Sequence, residues 1–374
     1  MTRLVLIGGG HAHLHVLADL AARPLSGVEA TLVSPSAWHH YSGMVPGFLQ
    51  GVYAEGELAI DLASLAARAR TRLVEAQAER IAIPDRTVDA GGASLPFDVL
   101  SLDVGADPAG LDAPGAGEHA VTVRPMRQAV ALRARIDALA GPARRGPVRV
   151  TVVGAGAGGV EVALALHRRI RNAGSRPELT LVEAASDVLP DYARPVRRRA
   201  ARILAARGVA VTIGRAVSRV EASAVQLDDG ARVPADLVVW LAGAAGPALL
   251  RSAGLALDPR GFLLVGSTLR VVGGAPVWGA GDCATLAAHP ETPKAGVYAV
   301  RQGPVLARNL RAALGEGSPA PYVPQRTFLS LLNTADGKAL LRWHGVVNHS
   351  RVAWWLKDRI DRRFVRRYRA PRLA

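Results

Sequence analysis

One pattern, written twice, constrains this chain more than any other feature. Residues Arg3 to Ile7 form an apolar run that leads into Gly8-Gly9-Gly10, and Val148 to Val153 form another that leads into Gly154-Ala155-Gly156-Ala157-Gly158-Gly159. Each turn opens a stretch with helical spacing, ending near Arg23-Pro24 in the first copy and near Arg171 in the second. Each is followed by a second apolar strand, Glu29 to Val33 and Leu179 to Glu183. Strand, glycine turn, helix, strand is the grammar of a parallel sheet with helical crossovers. The expected fold class is therefore α/β, with two Rossmann-like domains. At 374 residues the chain is also too long for one ordinary core.

Turn-rich stretches around Asp107 to Gly117 and Gly141 to Pro147 separate the two units, and Leu237 to Leu241 reads as the last strand of the second. The run Val277-Trp278-Gly279-Ala280-Gly281-Asp282 then returns to the first domain, and Pro319 to Pro324 marks one more boundary. The expected division is 1–118 and 249–318 for a discontinuous first domain, 119–248 for an inserted second domain, and 319–374 for a C-terminal segment.

A Gly-x-Gly-x-x-Gly turn bends tightly and lets a pyrophosphate approach the backbone at the positive end of a helix. Gly154, Gly156 and Gly159 complete that pattern, and Glu183 ends the next strand. A carboxylate there accepts from a ribose diol and repels a 2′-phosphate, which favours NADH over NADPH; Arg194 and Arg197 downstream act against that preference. In the first copy Gly8 and Gly10 are in place, but His13 takes the third glycine position and Ser34 stands where the acid would be. His13 is expected to loosen the helix–strand packing or to point its ring away. The Gly281-Asp282 pair strengthens this copy, because a carboxylate arriving beside an N-terminal unit is placed to hold the ribityl chain of FAD. A helix over about Ala295 to Leu310 would aim its N-terminal dipole at the flavin ring and stabilise the reduced anionic form.

Cys283 is the only cysteine, which rules out an internal disulfide and a Cys-rich cluster. It reads as a small packing residue, the other reading being a thiol activated at a helix start. His11, His13 and His15 alternate and His39-His40 follow, but no carboxylate or thiol accompanies them, so no metal is expected. The chain starts without a cleavable leader pattern, and a cytoplasmic location is expected. Its most apolar segment, Leu237 to Leu250, is interrupted by Gly243, Gly246 and Pro247, well short of the ~20 residues a spanning helix needs.

Two motifs, Leu4-Val5-Leu6-Ile7-Gly8-Gly9-Gly10-His11-Ala12-His13-Leu14 and Tyr41-Ser42-Gly43-Met44-Val45-Pro46-Gly47, resemble the flavoprotein domain fused to some bacterial selenophosphate synthases. More broadly, Val153 to Glu161, Trp240 to Gly243, Trp278 to Asp282 and Trp355 to Asp361 resemble type II NADH dehydrogenases of the two-dinucleotide FAD/NAD-linked superfamily. The resemblance spans nearly the whole chain. It implies FAD at Gly8, Gly10, Ser34, Ser42 and Asp282, with His11 in the same set and the adenine against the backbone near Ala78. It implies NADH at Gly154, Gly156, Gly159, Glu161 and Glu183, with Gly243 on the nicotinamide side and Glu161 orienting that ring. Lys294, before the flavin-facing helix, is expected at the flavin pyrimidine edge. No protein nucleophile is expected, because the flavin carries the chemistry.

Related quinone reductases carry a glutamine-rich stretch after the Gly-Asp pair. Here it reads Gly296-Val297-Tyr298-Ala299-Val300-Arg301-Gln302-Gly303, and only Gln302 remains as an acceptor-site candidate. A membrane quinone is the first-choice acceptor. The alternatives are a soluble acceptor (a selenium- or sulfur-metabolism partner, a small iron–sulfur or rubredoxin-type protein, or oxygen) and a redox sensor without turnover.

The formal charge is +15, and from Arg351 onward nine basic residues face two acids, a local net of +7. Ala353, Leu356, Ile360, Phe364 and Tyr368 recur at helical spacing as one apolar stripe. Lys357, Arg359, Arg362, Arg363, Arg366 and Arg367 occupy the other faces, and Trp354-Trp355 stand at the start. Such a helix suits the anionic cytoplasmic face of a membrane. The other occupants of the stripe are the protein's own core or a second copy in a homodimer. No nucleic-acid partner is expected, since no surface joining aromatic and basic residues is evident apart from this tail.

Overall fold

The structure, a computed structural model, describes residues 1–369. Arg372, one of the basic residues counted in the tail, lies outside the described residues. The first domain is built on strands β1 (Thr2–Ile7), β2 (Val28–Ser34), β3 (Thr71–Glu75) and β4 (Val99–Leu102), with helix α1 (His11–Ala22) crossing between β1 and β2. The inserted unit carries β5 (Ala120–Val121), β6 (Val148–Val153), helix α2 (Ala157–Asn172), β7 (Pro177–Glu183), helix α3 (Arg194–Ala206), β8 (Ala210–Ile213) and β9 (Leu237–Trp240). Strand β10 (Val277–Gly279) then rejoins the first sheet.

Both principal sheets are five-stranded and parallel, in the orders β10-β4-β1-β2-β3 and β5-β9-β6-β7-β8. Leu4 to Ile7 and Val150 to Val153 are buried on both strand faces. That is why their sequences read as unbroken apolar runs rather than as alternation. In each sheet the glycine turn leaves the middle strand where neighbours on either side have opposite connectivity, and ligands of open α/β sheets bind at such switch points.

The helix after the Gly281-Asp282 pair, α4 (Gly296–Ala313), packs on α1. The C-terminal segment adds a three-stranded antiparallel sheet, β11 (Ser330–Asn333), β12 (Ala339–Trp343) and β13 (Val346–Ser350), leading directly into helix α5 (Arg351–Tyr368). Ser350 caps α5, its Oγ accepting the N–H of Ala353 at 3.2 Å. Among the described residues no helix is long and apolar enough to cross a membrane.

Helix α5 corrects the sequence reading of its faces. Phe364 and Tyr368 belong to the protein interior: Phe364 stacks on Tyr41 at 4.5 Å between centroids, and Tyr368 meets the His15 ring at 5.5 Å. Lys357, assigned to the basic faces around the apolar stripe, is buried beside Asp361. The outward face is instead Val352, Trp355 and Ile360 with Arg359, Arg363, Arg366 and Arg367. Spacing reports how many stripes a helix has. Which of them is covered depends on partners far away in sequence.

Candidate functional site

A cleft of about 1680 Å³ runs between the two parallel-sheet domains. Gly154, Gly156, Gly159, Glu161, Glu183 and Gly243 line one side, and Ser42, Asp282 and Lys294 line the other. Nine of the sequence-predicted residues therefore share one space, although they are scattered over some 250 positions.

The second glycine turn is shaped for a diphosphate. Gly154 has φ +101°, and a Cβ on it would stand 2.6 Å from the Leu241 carbonyl oxygen. A Cβ on Gly159 would stand 1.8 Å from the Gly154 oxygen, so only glycine lets α2 come this close. Gly156 and Gly158 face open space on the outer side. Glu183 ends β7 with its carboxylate accepting from Ala155 N–H at 2.6 Å and Ala185 N–H at 2.9 Å. These bonds fix it beside the turn where a ribose would follow the phosphates.

The first turn has the same backbone and a different filling. Gly8 has φ +91°, with the Asp103 carbonyl oxygen 2.4 Å from where its Cβ would be. His13, fully buried, neither points away nor leaves a gap: its Nδ1 lies 2.5 Å from the Gly8 oxygen and its Nε2 lies 2.9 Å from Ser101 Oγ. The imidazole thus bridges turn and sheet at the position where Gly159 makes direct contact. Two buried nitrogens at this turn, His11 Nε2 and His39 Nε2, have no hydrogen-bond partner, and the two rings meet at 4.8 Å. Unpartnered ring nitrogens buried at a helix start mark a place where a ligand's polar group would complete the bonding, and the helix start itself favours an anionic one.

The remaining predicted residues lie apart from the cleft lining. Gly10 faces the Asp103 carboxylate, 2.4 Å from a Cβ built on the glycine. Ser34, buried at the end of β2, donates through Oγ to the Ser36 oxygen at 2.8 Å. Ala78 is buried on the edge of a small antiparallel sheet. Gln302 is turned inward, its Oε1 accepting Gly281 N–H at 2.6 Å. It braces the Gly281-Asp282 turn rather than facing the cleft. Cys283 is fully buried and burial pushes its thiol up to about 12, which makes it a packing residue and not an activated thiol.

Arg124 and Asp103 carried no usable sequence signal, and the surroundings of Glu161, Lys357 and Lys294 could not be read from sequence. Arg124 Nη1 bonds Asp282 at 3.1 Å, and both line the cleft. Asp103 sits beneath the first turn, accepting from Ala12 N–H at 2.7 Å and His13 N–H at 2.9 Å. Glu161, expected only to orient a ring, is an ionisable group in its own right: it accepts Asn333 N–H at 2.7 Å, and burial pushes its carboxyl up to about 7. Lys357 Nζ lies near it, bonded to the Gly43 oxygen and to Asp361, each at 2.9 Å. Burial works against the Lys357 ammonium, but Asp361 and Glu161 outweigh it and hold its pKa above the ordinary lysine value. Lys294 donates to Thr285 Oγ1 at 2.8 Å and to the Ala284 oxygen, and its ammonium stands 4.0 Å from the Phe262 ring centroid. Burial brings it down to about 8.

The profile of a family described as pyridine nucleotide-disulphide oxidoreductase matches residues 2–303. An NADH dehydrogenase-like protein of Mycobacterium tuberculosis is 32% identical over 303 residues, 76% of this chain and 73% of that protein. A type II NADH:quinone oxidoreductase of Staphylococcus saprophyticus is 24% identical over 386 aligned residues, 97% of this chain and 95% of that one. Among solved structures, NDH2 of Plasmodium falciparum in complex with NADH superposes with a TM-score of 0.84 at 13% identity, covering 97% of each chain. That last likeness is one of fold.

Proposed function

Since the chain belongs to the pyridine nucleotide-disulphide oxidoreductase family, we propose that it oxidises NADH through FAD and delivers the electrons to a membrane quinone. The observation that carries this reading is the single cleft onto which the second glycine turn and the Asp282–Lys294 wall both open. When bound, FAD accepts hydride from NADH and passes electrons onward, so no protein nucleophile is needed.

The chain's own residues bind, align and supply protons. Gly154, Gly156 and the start of α2 receive the NADH diphosphate, and Glu183 accepts from the ribose. Asp282, held by Arg124, would hold the flavin side chain, while Lys294 and the N-terminus of α4 would supply positive charge for the ring. Glu161, with a carboxyl that titrates near neutrality, holds a proton at the cleft floor beside Lys357. Quinone as the acceptor is supported by the quinone oxidoreductase named among the relatives. It is supported also by the outward apolar and basic face of α5, which suits peripheral attachment to the cytoplasmic face of a membrane.

The test is turnover of the purified yellow protein. NADH consumption with a soluble quinone analogue should exceed that with oxygen or a small iron–sulfur protein. Fast reduction by NADH followed by oxidation only by a soluble redox protein would replace quinone as the acceptor. A stable reduced complex that no acceptor turns over would make the protein a sensor.

A further inference from the structure

We propose that Asp103 makes flavin retention proton-linked: its carboxyl shares the first glycine turn with the FAD diphosphate when uncharged, and its ionisation loosens the cofactor. The inference rests on the assignment of FAD to that turn.

Asp103 leaves the sheet directly after β4, its N–H bonded to the Ile7 oxygen at 2.9 Å. Its side chain turns under the glycine loop and takes two amides of the first turn of α1, those of Ala12 and His13. A Cβ on Gly10 would stand 2.4 Å from this carboxyl and one on Gly281 2.5 Å from it, so it is wedged between the two segments that frame the flavin site. It is 3% exposed.

The second domain provides an internal comparison. The residue after β9 contacts Gly154 as Asp103 contacts Gly8, and that residue is Leu241. One glycine turn thus has a carboxyl against its second glycine, where a Cβ on the counterpart Gly156 would meet nothing within 4 Å. Helix α1 has no acid of its own in its first turn, so Asp103 supplies the negative charge that a helix start attracts. A diphosphate is drawn to the same amide-bearing end, and two anions in one buried place repel strongly.

No neighbouring group relieves that repulsion. Asp282 adds a charge of the same sign. Cys283 is a buried thiol, the His13 ring is committed to Gly8 and Ser101, and His11 is uncharged through burial. Arg124 is engaged with Asp282, and Lys294 with Ala284 and Thr285. Among the described residues no cation pairs with Asp103. Burial pushes its carboxyl up to about 7, so in the physiological range it exchanges a proton. Adding the diphosphate favours the protonated form, which can in addition donate its O–H to a phosphate oxygen.

The experiment dilutes the purified flavoprotein at a series of pH values from about 6 to 9 and measures released FAD after ultrafiltration. Above neutrality the dissociation constant should rise about tenfold per pH unit, the slope expected for one linked proton. Asp103→Asn should flatten that dependence while keeping the amide bonds to α1. If the variant does not fold, the heat of FAD rebinding to the unsubstituted protein, in buffers of different ionisation enthalpy at about pH 8, decides the matter by counting protons. Uptake near one proton per FAD supports the inference and uptake near zero overturns it. Equal pH slopes in the two proteins, or no slope in either, also overturn it and leave FAD binding intact. Loss of all FAD affinity at every pH would instead remove the premise.

Discussion

His13 stands where a glycine would let helix and turn touch, and its environment explains how a large polar side chain is tolerated there. Both ring nitrogens are bonded, and burial brings its pKa down to about 4, as it does for His11 and His15. A folded-state pKa below the unfolded value of 6.5 means that the unfolded chain takes up the protons first. Stability from these histidines is present above about pH 6.5 and is lost as pH falls towards about 4. Replacing His13 with Ala should lower unfolding free energy by about 2–4 kcal/mol at neutral pH, through two lost hydrogen bonds and a void. It should also weaken the acid sensitivity, and urea titrations at neutral pH and near pH 5 measure both. In the function proposed above, Glu183 is the residue that would set nucleotide choice. Glu183→Ala should cut kcat/KM for NADH about tenfold or more, equivalent to ~1.4 kcal/mol, and bring NADPH closer to NADH. Steady-state kinetics with both nucleotides would reveal an unchanged ratio if the carboxylate does not meet the ribose.

Helix α5 is stabilised by an element-scale compromise. Its inward face combines Ala353, Val365 and Tyr368 with a buried ion pair, Lys357–Asp361, whose remaining polar capacity goes to Gly43 and Tyr41. A buried pair is a weak source of net stability, yet removing one partner leaves a charge stranded. Lys357→Met alone should therefore destabilise the protein by about 3–5 kcal/mol, and Lys357→Met with Asp361→Leu should recover much of that loss. A thermodynamic cycle from chemical denaturation reads the coupling. If instead the double replacement restores folding but slows quinone reduction, the pair serves the cleft, because Lys357 bonds the Gly43 backbone at the cleft wall.

At the scale of the molecule, the starts of α2 and α4 meet at one cleft, and the C-terminal sheet with α5 presents a separate outer surface. There Val352 and Trp355 are 72% and 58% exposed beside Arg359 and Arg363. Attraction of ~1 kcal/mol per basic residue near an anionic surface, added to tryptophan insertion, suffices for reversible attachment. Sedimentation with phosphatidylglycerol vesicles should carry the protein down. Trp355→Ser combined with Arg363→Glu should abolish that binding without changing NADH oxidation by a soluble quinone analogue. Binding that is indifferent to these changes, or equal on neutral phosphatidylcholine, would place any membrane contact elsewhere.

The sequence by itself determined the two parallel units, the return of Val277–Gly279 to the first sheet and nine of the residues that line the cleft. Glycine turns, buried apolar strands and an acid at a strand end are local signals that survive in any context. Tertiary structure alone decided what lies under the first turn, where Gln302 points and which stripe of α5 is covered. Asp103 is about 90 residues from the amides it accepts from, and Lys357 about 310 from the carbonyl it binds. A buried charge is specified by neighbours brought from elsewhere in the chain, and spacing within one segment contains no record of them.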